Sequence, residues 1–143
     1  MAETIITNFH FKVDWGGTRI GFEEVENLTI GIHVIEYRDG ASKDYHTKKI
    51  PGRAYYENIV LRKGAATGDN EFFDWWNTIQ ASTVERRDIT ISLLNESHEP
   101  LVAWKISNAF PVKIVWTDLK ATGNQVLIES LEIAHEGIKV EYT

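Results

Sequence analysis

The stretch NLTIGIHVIEYRDGASKDYHTKKIPGR, Asn27 to Arg53, decides how the rest of the chain is read. It starts as a strand. Leu28, Ile30, Ile32 and Val34 alternate with Thr29, Gly31 and His33, the period of two that gives a sheet two unlike faces. Arg38-Asp39-Gly40 ends that run and opens a polar loop with charges of both signs. Pro51-Gly52 ends the loop, and Tyr55 to Leu61 reads as the next strand. The predicted loop, residues 39–50, far exceeds the ~2–5 residues of an ordinary hairpin connection, and loops of that length on a compact domain are usually functional or disordered. It is read as an arm that reaches a neighbouring copy of the same chain.

The flanking segments are also strand-like. Phe9, Phe11, Val13 and Trp15 alternate with His10, Lys12 and Asp14. Gly16-Gly17 follows as a hairpin turn, because glycine reaches positive φ without a Cβ clash. Arg19 to Val25 is the predicted return strand, ending among Glu23, Glu24 and Glu26. Beyond Arg62-Lys63-Gly64, Asp69 is the expected N-cap of one helix of about three turns. Phe72, Trp75, Trp76 and Ile79 recur there at helical spacing, with Glu71 and Asp74 near the positive end of the dipole. That aromatic stripe is expected to pack on a sheet. Further strands are predicted around Ile89–Leu93, Val102–Ile106, Val112–Trp116, Val126–Ala134 and Ile138–Tyr142. Val126–Ala134, apolar on alternate and adjacent positions, is expected to be buried on both sides. About eight strands and one helix, with frequent turn signals, indicate a mainly β, single-domain barrel or sandwich over residues 1–143.

Composition narrows the function classes. The chain has 143 residues, 43% hydrophobic and 25% charged, ordinary values for a globular domain. It holds no cysteine, which removes disulfides, thiolate metal sites and cysteine nucleophiles. Its net charge of −6 argues against a general nucleic-acid binder, which carries a basic patch. No apolar run reaches the ~18 residues of a membrane span, and MAETIITNFHFK lacks the plan of a signal peptide, so no secretion leader is expected. The matches to the glycosylation pattern at Asn27 and Asn95 are therefore read as chance.

Motifs for chemistry are sparse. His10, His33, His46, His98 and His135 are scattered, with no HExxH. Glu24 and Glu26 could share a strand face as an acid/base pair, but solvated or assembly-facing carboxylates fit better. There is no GxSxG elbow and no P-loop lysine after Gly16-Gly17. No catalytic residue, metal ligand or cofactor site is expected. What stands out is abundant strand, few helices and one long charged loop. Exposed sheet edges are templates for pairing with another chain, and head-to-tail contacts that close on themselves make rings.

Seven short motifs carry a resemblance in the same order and at similar spacing: VIEYRDG (34–40), KKIPGR (48–53), IVLRKG (59–64), FFDWW (72–76), VERRD (84–88), AWKISNAFP (103–111) and LEIAHEG (131–137). Together they resemble the tail tube protein family of contractile phage tails and contractile injection systems, over nearly the whole chain, with no additional domain expected. The resemblance implies a β-barrel with a flanking helix, six copies to a ring, and rings stacked into a hollow tube inside a sheath. It also implies a fold similar to the secreted ring protein of type VI secretion. The implied partners are further copies of the chain, the sheath protein, baseplate hub and spike proteins, a tube terminator, and a cargo protein or DNA in the lumen. The implied setting is assembly in the cytoplasm into an extracellular or cell-associated particle or virion tail.

The resemblance maps inter-subunit and inter-ring contact onto the loop and its flanks: Tyr37, Arg38, Asp39, Lys43, Asp44, Tyr45, Lys48, Lys49 and Arg53. Charges of both signs suit complementary stacking. Glu23, Glu24 and Glu26 are candidates for an acidic lumen to which DNA or acidic cargo would not adhere. The competing reading is a small-ligand-binding β-barrel carrier, which needs a hollow interior. Trp15, Trp104 and Trp116 are expected to point inward and fill it.

Overall fold

The computed structural model describes residues 5–41 and 47–143. Its elements follow in the order β1 (Phe11–Asp14), β2 (Glu24–Glu26), β3 (Ile30–Tyr37), β4 (Lys48–Tyr56), β5 (Ile59–Gly64), α1 (Glu71–Gln80), β6 (Arg87–Leu94), β7 (Pro100–Trp116), β8 (Ile128–Ala134) and β9 (Gly137–Tyr142). The expectation of a mainly β fold with one helix holds, with nine strands among the described residues rather than about eight.

The 17-residue strand β7 is the spine. β8 and then β9 run antiparallel along one side of it, from Trp116 opposite Glu129 to Val102 opposite Tyr142. The other side of β7 is paired by β6 only between Pro100 and Ala109. β5 flanks β8, β2 flanks β5, and β1 flanks β6. Two antiparallel sheets result, β1-β6-β7-β9 and β2-β5-β8-β7, which share β7 as their common strand. The sequence suggested two strands separated at Pro111. They are one strand, because the register slips by a residue between Pro111 and Lys113, and such an irregularity accommodates a residue without an N–H.

The core lies between the sheets and under α1. Ile59, Leu61, Leu131 and Ile133 face Ile89, Ile91 and Ile106, all buried. Trp15 is fully buried, 5.0 Å from the Phe72 ring and 6.0 Å from Trp75. Its indole N–H donates to the Arg19 carbonyl at 2.8 Å, and that of Trp75 donates to the Glu85 carbonyl at 2.8 Å, so neither polar handle is stranded. The helix packs by Phe72 and Trp75.

Several local expectations change. The helix cap is Asn70, while Asp69 Oδ1 accepts the Glu71 N–H one residue earlier than a cap would. Arg19–Val25 is not a return strand: β1 pairs with β6 and β2 with β5, and the Gly16 turn is tied by Val13 N–H to the Ile20 carbonyl. Phe9 leaves the alternation and is 75% exposed. β8 starts at Ile128, not Val126, and only alternate residues of it are fully buried. Trp116 is exposed, so it does not fill the interior, which Trp15, Phe72 and Trp75 occupy.

Candidate functional site

The β3–β4 hairpin forms a separate two-stranded sheet. Its register, Ile30 opposite Tyr56 and Tyr37 opposite Lys48, shows that the predicted loop is shorter than read: residues 48–50 belong to β4, and Pro51-Gly52 lie inside it. Tyr55–Leu61 is likewise divided, with β4 ending at Tyr56 and β5 starting at Ile59. The register slips between Ile32 and Val34, which places one extra residue of β4 at Gly52-Arg53. A Cβ on Gly52 would stand 2.8 Å from the His33 carbonyl oxygen, so this bulge requires glycine. Opposite Gly31 lies Tyr55, whose ring occupies the space a Cβ would need and stacks 4.7 Å from His33.

Both faces of this arm are apolar and uncovered. Ile30, Ile32 and Val34 are on one face, each at least half exposed; Ile35, Tyr37, Ile50 and Tyr55 on the other are 39–54% exposed. An isolated two-stranded hairpin is marginal in water, and contiguous exposed apolar surface marks an interaction site. The arm is built to be covered by something else.

The loop residues inferred from sequence separate accordingly. Tyr37 closes β3, Lys48 and Lys49 sit in β4 opposite Tyr37 and Glu36, and Arg53 is at the bulge. Asp39 Oδ1 accepts the Ala41 N–H at 3.0 Å in the turn that Arg38 opens. Lys43, Asp44 and Tyr45 lie outside the described residues. Sequence reading missed Ile35, Ile50 and Tyr55. The available signal was that residues 30–37 carry apolar side chains at both odd and even positions.

A second surface is the outward face of the β2-β5-β8-β7 sheet. Here Val60, Arg62, Ser130, Glu132, Lys113 and Val115 border one shallow depression. Glu24 and Glu26 lie beside it on β2. Arg62 bridges both, at 3.1 Å from Glu24 and in closer contact with Glu26. The Arg62 hydrogen bond holds the Glu26 carboxyl below its ordinary range, and Glu26 in turn raises the guanidinium. Glu23 is exposed, and its N–H donates to the Arg62 carbonyl. The three glutamates are thus at one sheet edge, two of them partly neutralised by a cation that sequence reading did not assign.

The end of that sheet away from the arm carries the Thr117–Leu127 loop between β7 and β8. It encloses an open concavity of about 820 Å³ lined by Val115, Trp116, Leu119 and Val126 among others. Leu119 is 88% exposed and Val126 69%. An ion cluster fixes the neighbouring turn. Lys63 is fully buried, and Asp69 Oδ2 accepts from both Lys63 Nζ and Arg19 Nη1 at 2.8 Å. Burial pushes the Asp69 carboxyl up, but the hydrogen bonds from Lys63, Arg19 and the Glu71 N–H outweigh it and bring its pKa down to about 2. Lys63 also lies 4.1 Å above the Phe72 ring. Among the described residues, no group of three or more His, Asp or Glu could hold a metal ion.

The model of the T4-like virus tail tube protein gp19 family matches residues 7–139. Among solved structures, the chain is similar to one in the extended-state sheath–tube complex of an extracellular contractile injection system, PVC. The identity is 37% and the TM-score 0.89, over 99% of this chain and 94% of that one. It is similar to a chain of the anti-feeding prophage tube-terminating cap, with 33% identity and a TM-score of 0.90 over 100% and 95% of the two chains. Hcp1 from Flavobacterium johnsoniae shares the fold, with 18% identity and a TM-score of 0.57 over 94% and 97%. No curated protein sequence matches significantly.

Proposed function

We propose that this chain, which belongs to the T4-like tail tube protein family, is the inner-tube subunit of a contractile injection system or contractile phage tail. The observation that carries the reading is a body with a filled core that leaves free sheet edges and a two-faced apolar arm. The β2-β5-β8-β7 sheet has an even number of strands, all antiparallel. Its two edges, β2 and the Phe110–Trp116 part of β7, therefore run in opposite directions. Setting β2 of one copy beside β7 of the next continues the antiparallel alternation without interruption. Repeated head to tail, such a joint closes into a ring or winds into a helix. Six copies per ring, stacked rings and a continuous inner barrel follow the family plan.

In this arrangement the polar outward face of the shared sheet, with Glu24, Glu26, Arg62, Lys113 and Glu132, lines the lumen. Alternating charge of both signs there favours free passage of cargo, protein or DNA, over adhesion. Tyr37, Arg38, Asp39, Lys48, Lys49 and Arg53, with Lys43, Asp44 and Tyr45, belong to the arm that joins copies. The sheath surrounds the tube, hub and spike proteins of the baseplate start it, and a terminator ends it. Sheath contraction drives the tube through a target envelope after assembly in the cytoplasm. The role is structural and needs no cofactor. Purified protein, alone and with its sheath and baseplate partners, tests this by electron microscopy. Hollow cylinders are expected; single copies at high concentration, with no cylinders when the partners are supplied, would refute it.

A further inference from the structure

The fold brings together two histidines that the sequence keeps apart. His10 precedes β1 and His98 sits in the turn between β6 and β7. Their rings meet edge to face, with centroids 4.5 Å apart and an interplanar angle of 79°. The other described histidines are engaged elsewhere. His33 stacks on Tyr55, and His135 lies beside Tyr56 with Nε2 3.0 Å from the Glu57 carbonyl oxygen.

Both backbones of the pair are fixed. The His10 carbonyl accepts the Leu94 N–H at 2.7 Å, next to the β1–β6 ladder. In the turn, Asn95 Oδ1 accepts the N–H groups of Ser97 and Glu99 at 2.8 and 2.9 Å, and the Asn95 carbonyl accepts that of His98 at 3.0 Å. His98 is thereby held at φ 61°, a left-handed conformation that persists only where the surroundings impose it. Among the described residues, neither imidazole has a hydrogen-bond or ion-pair partner, so their ring nitrogens are open to a ligand.

Neutral imidazole suits divalent transition metals. Metal–nitrogen bonds of about 2.0–2.1 Å place two rings, bound at right angles to one ion, with centroids roughly 4.5 Å apart. The χ2 torsion of histidine is broad, so the rings can turn a nitrogen each toward one point while the backbones stay in place. Within two residues of the pair, Glu96 and Glu99 outnumber Lys12, a balance that favours a cation. The chain has no cysteine to compete for the ion.

We propose that His10 and His98 form a two-histidine site for a divalent transition-metal ion of the Ni²⁺, Cu²⁺ and Zn²⁺ class, with water in the remaining positions. Two protein ligands are fewer than a closed structural site uses, so binding is reversible. Its effect is to tie the segment ahead of β1 to the β6–β7 turn. The proposal revises the sequence expectation that no residue is a metal ligand, and it does not depend on the tube reading.

The test uses untagged protein. Ni²⁺ is titrated by calorimetry, and the imidazole NMR signals are followed while this paramagnetic ion is added below one equivalent. Saturable binding of one ion per copy is expected, with the His10 and His98 signals broadened before those of His33, His46 and His135. His98→Asn keeps a residue type that tolerates the left-handed backbone, and His10→Gln keeps a polar side chain. Each should weaken binding by at least about tenfold, since losing even an outer partner of a ligand costs roughly 10–100-fold. His33→Ala should bind as the parent does. Saturating Ni²⁺ should also raise the urea midpoint of the parent more than that of either variant. No saturable binding overturns the proposal. So does binding that survives both substitutions, or uniform broadening of all five histidines, the mark of an adventitious ion only.

Discussion

Replacing Ile35 by alanine separates assembly from folding. Ile35 is 52% exposed, and full burial of an isoleucine side chain is worth ~1.5–3 kcal/mol. Covering the exposed half on docking therefore contributes roughly 1 kcal/mol per copy, most of which alanine forfeits. If six arms act in one joint, the loss is roughly 5 kcal/mol, between three and four decades in the association constant of two rings. Within a single copy the change removes part of the Ile35–Ile50 cross-strand pair, worth ~0.2–1 kcal/mol to the arm alone. The assay compares the ring concentration at which tubes appear, by sedimentation and electron microscopy, with the urea midpoint of dispersed protein. The expected result is a shift of the assembly threshold by about a thousandfold or more with little movement of the urea midpoint. Ile89→Ala, at a buried core position, should do the reverse and cost ~2–5 kcal/mol of folding stability. An unchanged threshold for Ile35→Ala would refute the reasoning that the arm is an adhesive element.

Other outcomes follow from the same structure. Asp69→Asn leaves the buried Lys63 ammonium without its carboxylate and should cost ~3–5 kcal/mol, whereas Lys63→Met/Asp69→Leu should recover most of that; equal stability of wild type and Asp69→Asn in urea would contradict the ion-cluster account. The folded Asp69 pKa of about 2 lies below its ordinary 3.8, so its contribution is complete above pH ~4 and is lost as pH falls toward 2, visible as a falling urea midpoint over that window. Arg62→Ala should let the Glu26 carboxyl rise toward its ordinary range, measurable by NMR titration; an unmoved midpoint would dissociate Glu26 from Arg62. Gly52→Ala should distort the arm and reduce tube yield while the core melts normally, because its Cβ would strike the His33 carbonyl.

What the sequence disclosed, and what it hid, divides along physical lines. Phe72 and Trp75 were legible because helical periodicity depends on one element alone, and the buried stripe of α1 sits where its spacing placed it. The two strands inferred on either side of Pro111 were wrongly separated, since only the partner strand β8 reveals that the ladder bends through a bulge instead of ending. The Gly16-Gly17 turn was visible, but its strands choose β6 and β5, a decision made by contacts more than 30 residues away in sequence. The Arg19–Lys63–Asp69 cluster left no local mark: Arg19 lies 50 residues from Asp69 in the chain, the six-residue separation of Lys63 and Asp69 follows no helical or strand spacing, and each looks like an ordinary surface charge. In the arm, the charged turn is the conspicuous feature of the sequence. The apolar strands that flank it hold the larger area available for contact.

That division predicts where motion should change on assembly. The arm is a two-stranded sheet whose apolar side chains are half exposed, so its backbone hydrogen bonds are open to water and should break locally at low free-energy cost. The body has Ile59, Leu61, Leu131 and Ile133 fully buried and opens only through extensive unfolding. In dispersed copies, amide exchange should therefore be fast across β3 and β4 and slow in β5, β7 and β8. In assembled tubes β3 and β4 should slow by at least an order of magnitude, while the body, already protected, changes little except at the free edge of β7, Phe110–Trp116. A chain that stores its binding energy outside its folding core can be stable before it meets its neighbours and still bind them tightly. If the arm were equally protected in both states, its apolar faces would already be satisfied, and the reason for placing it between copies would be gone.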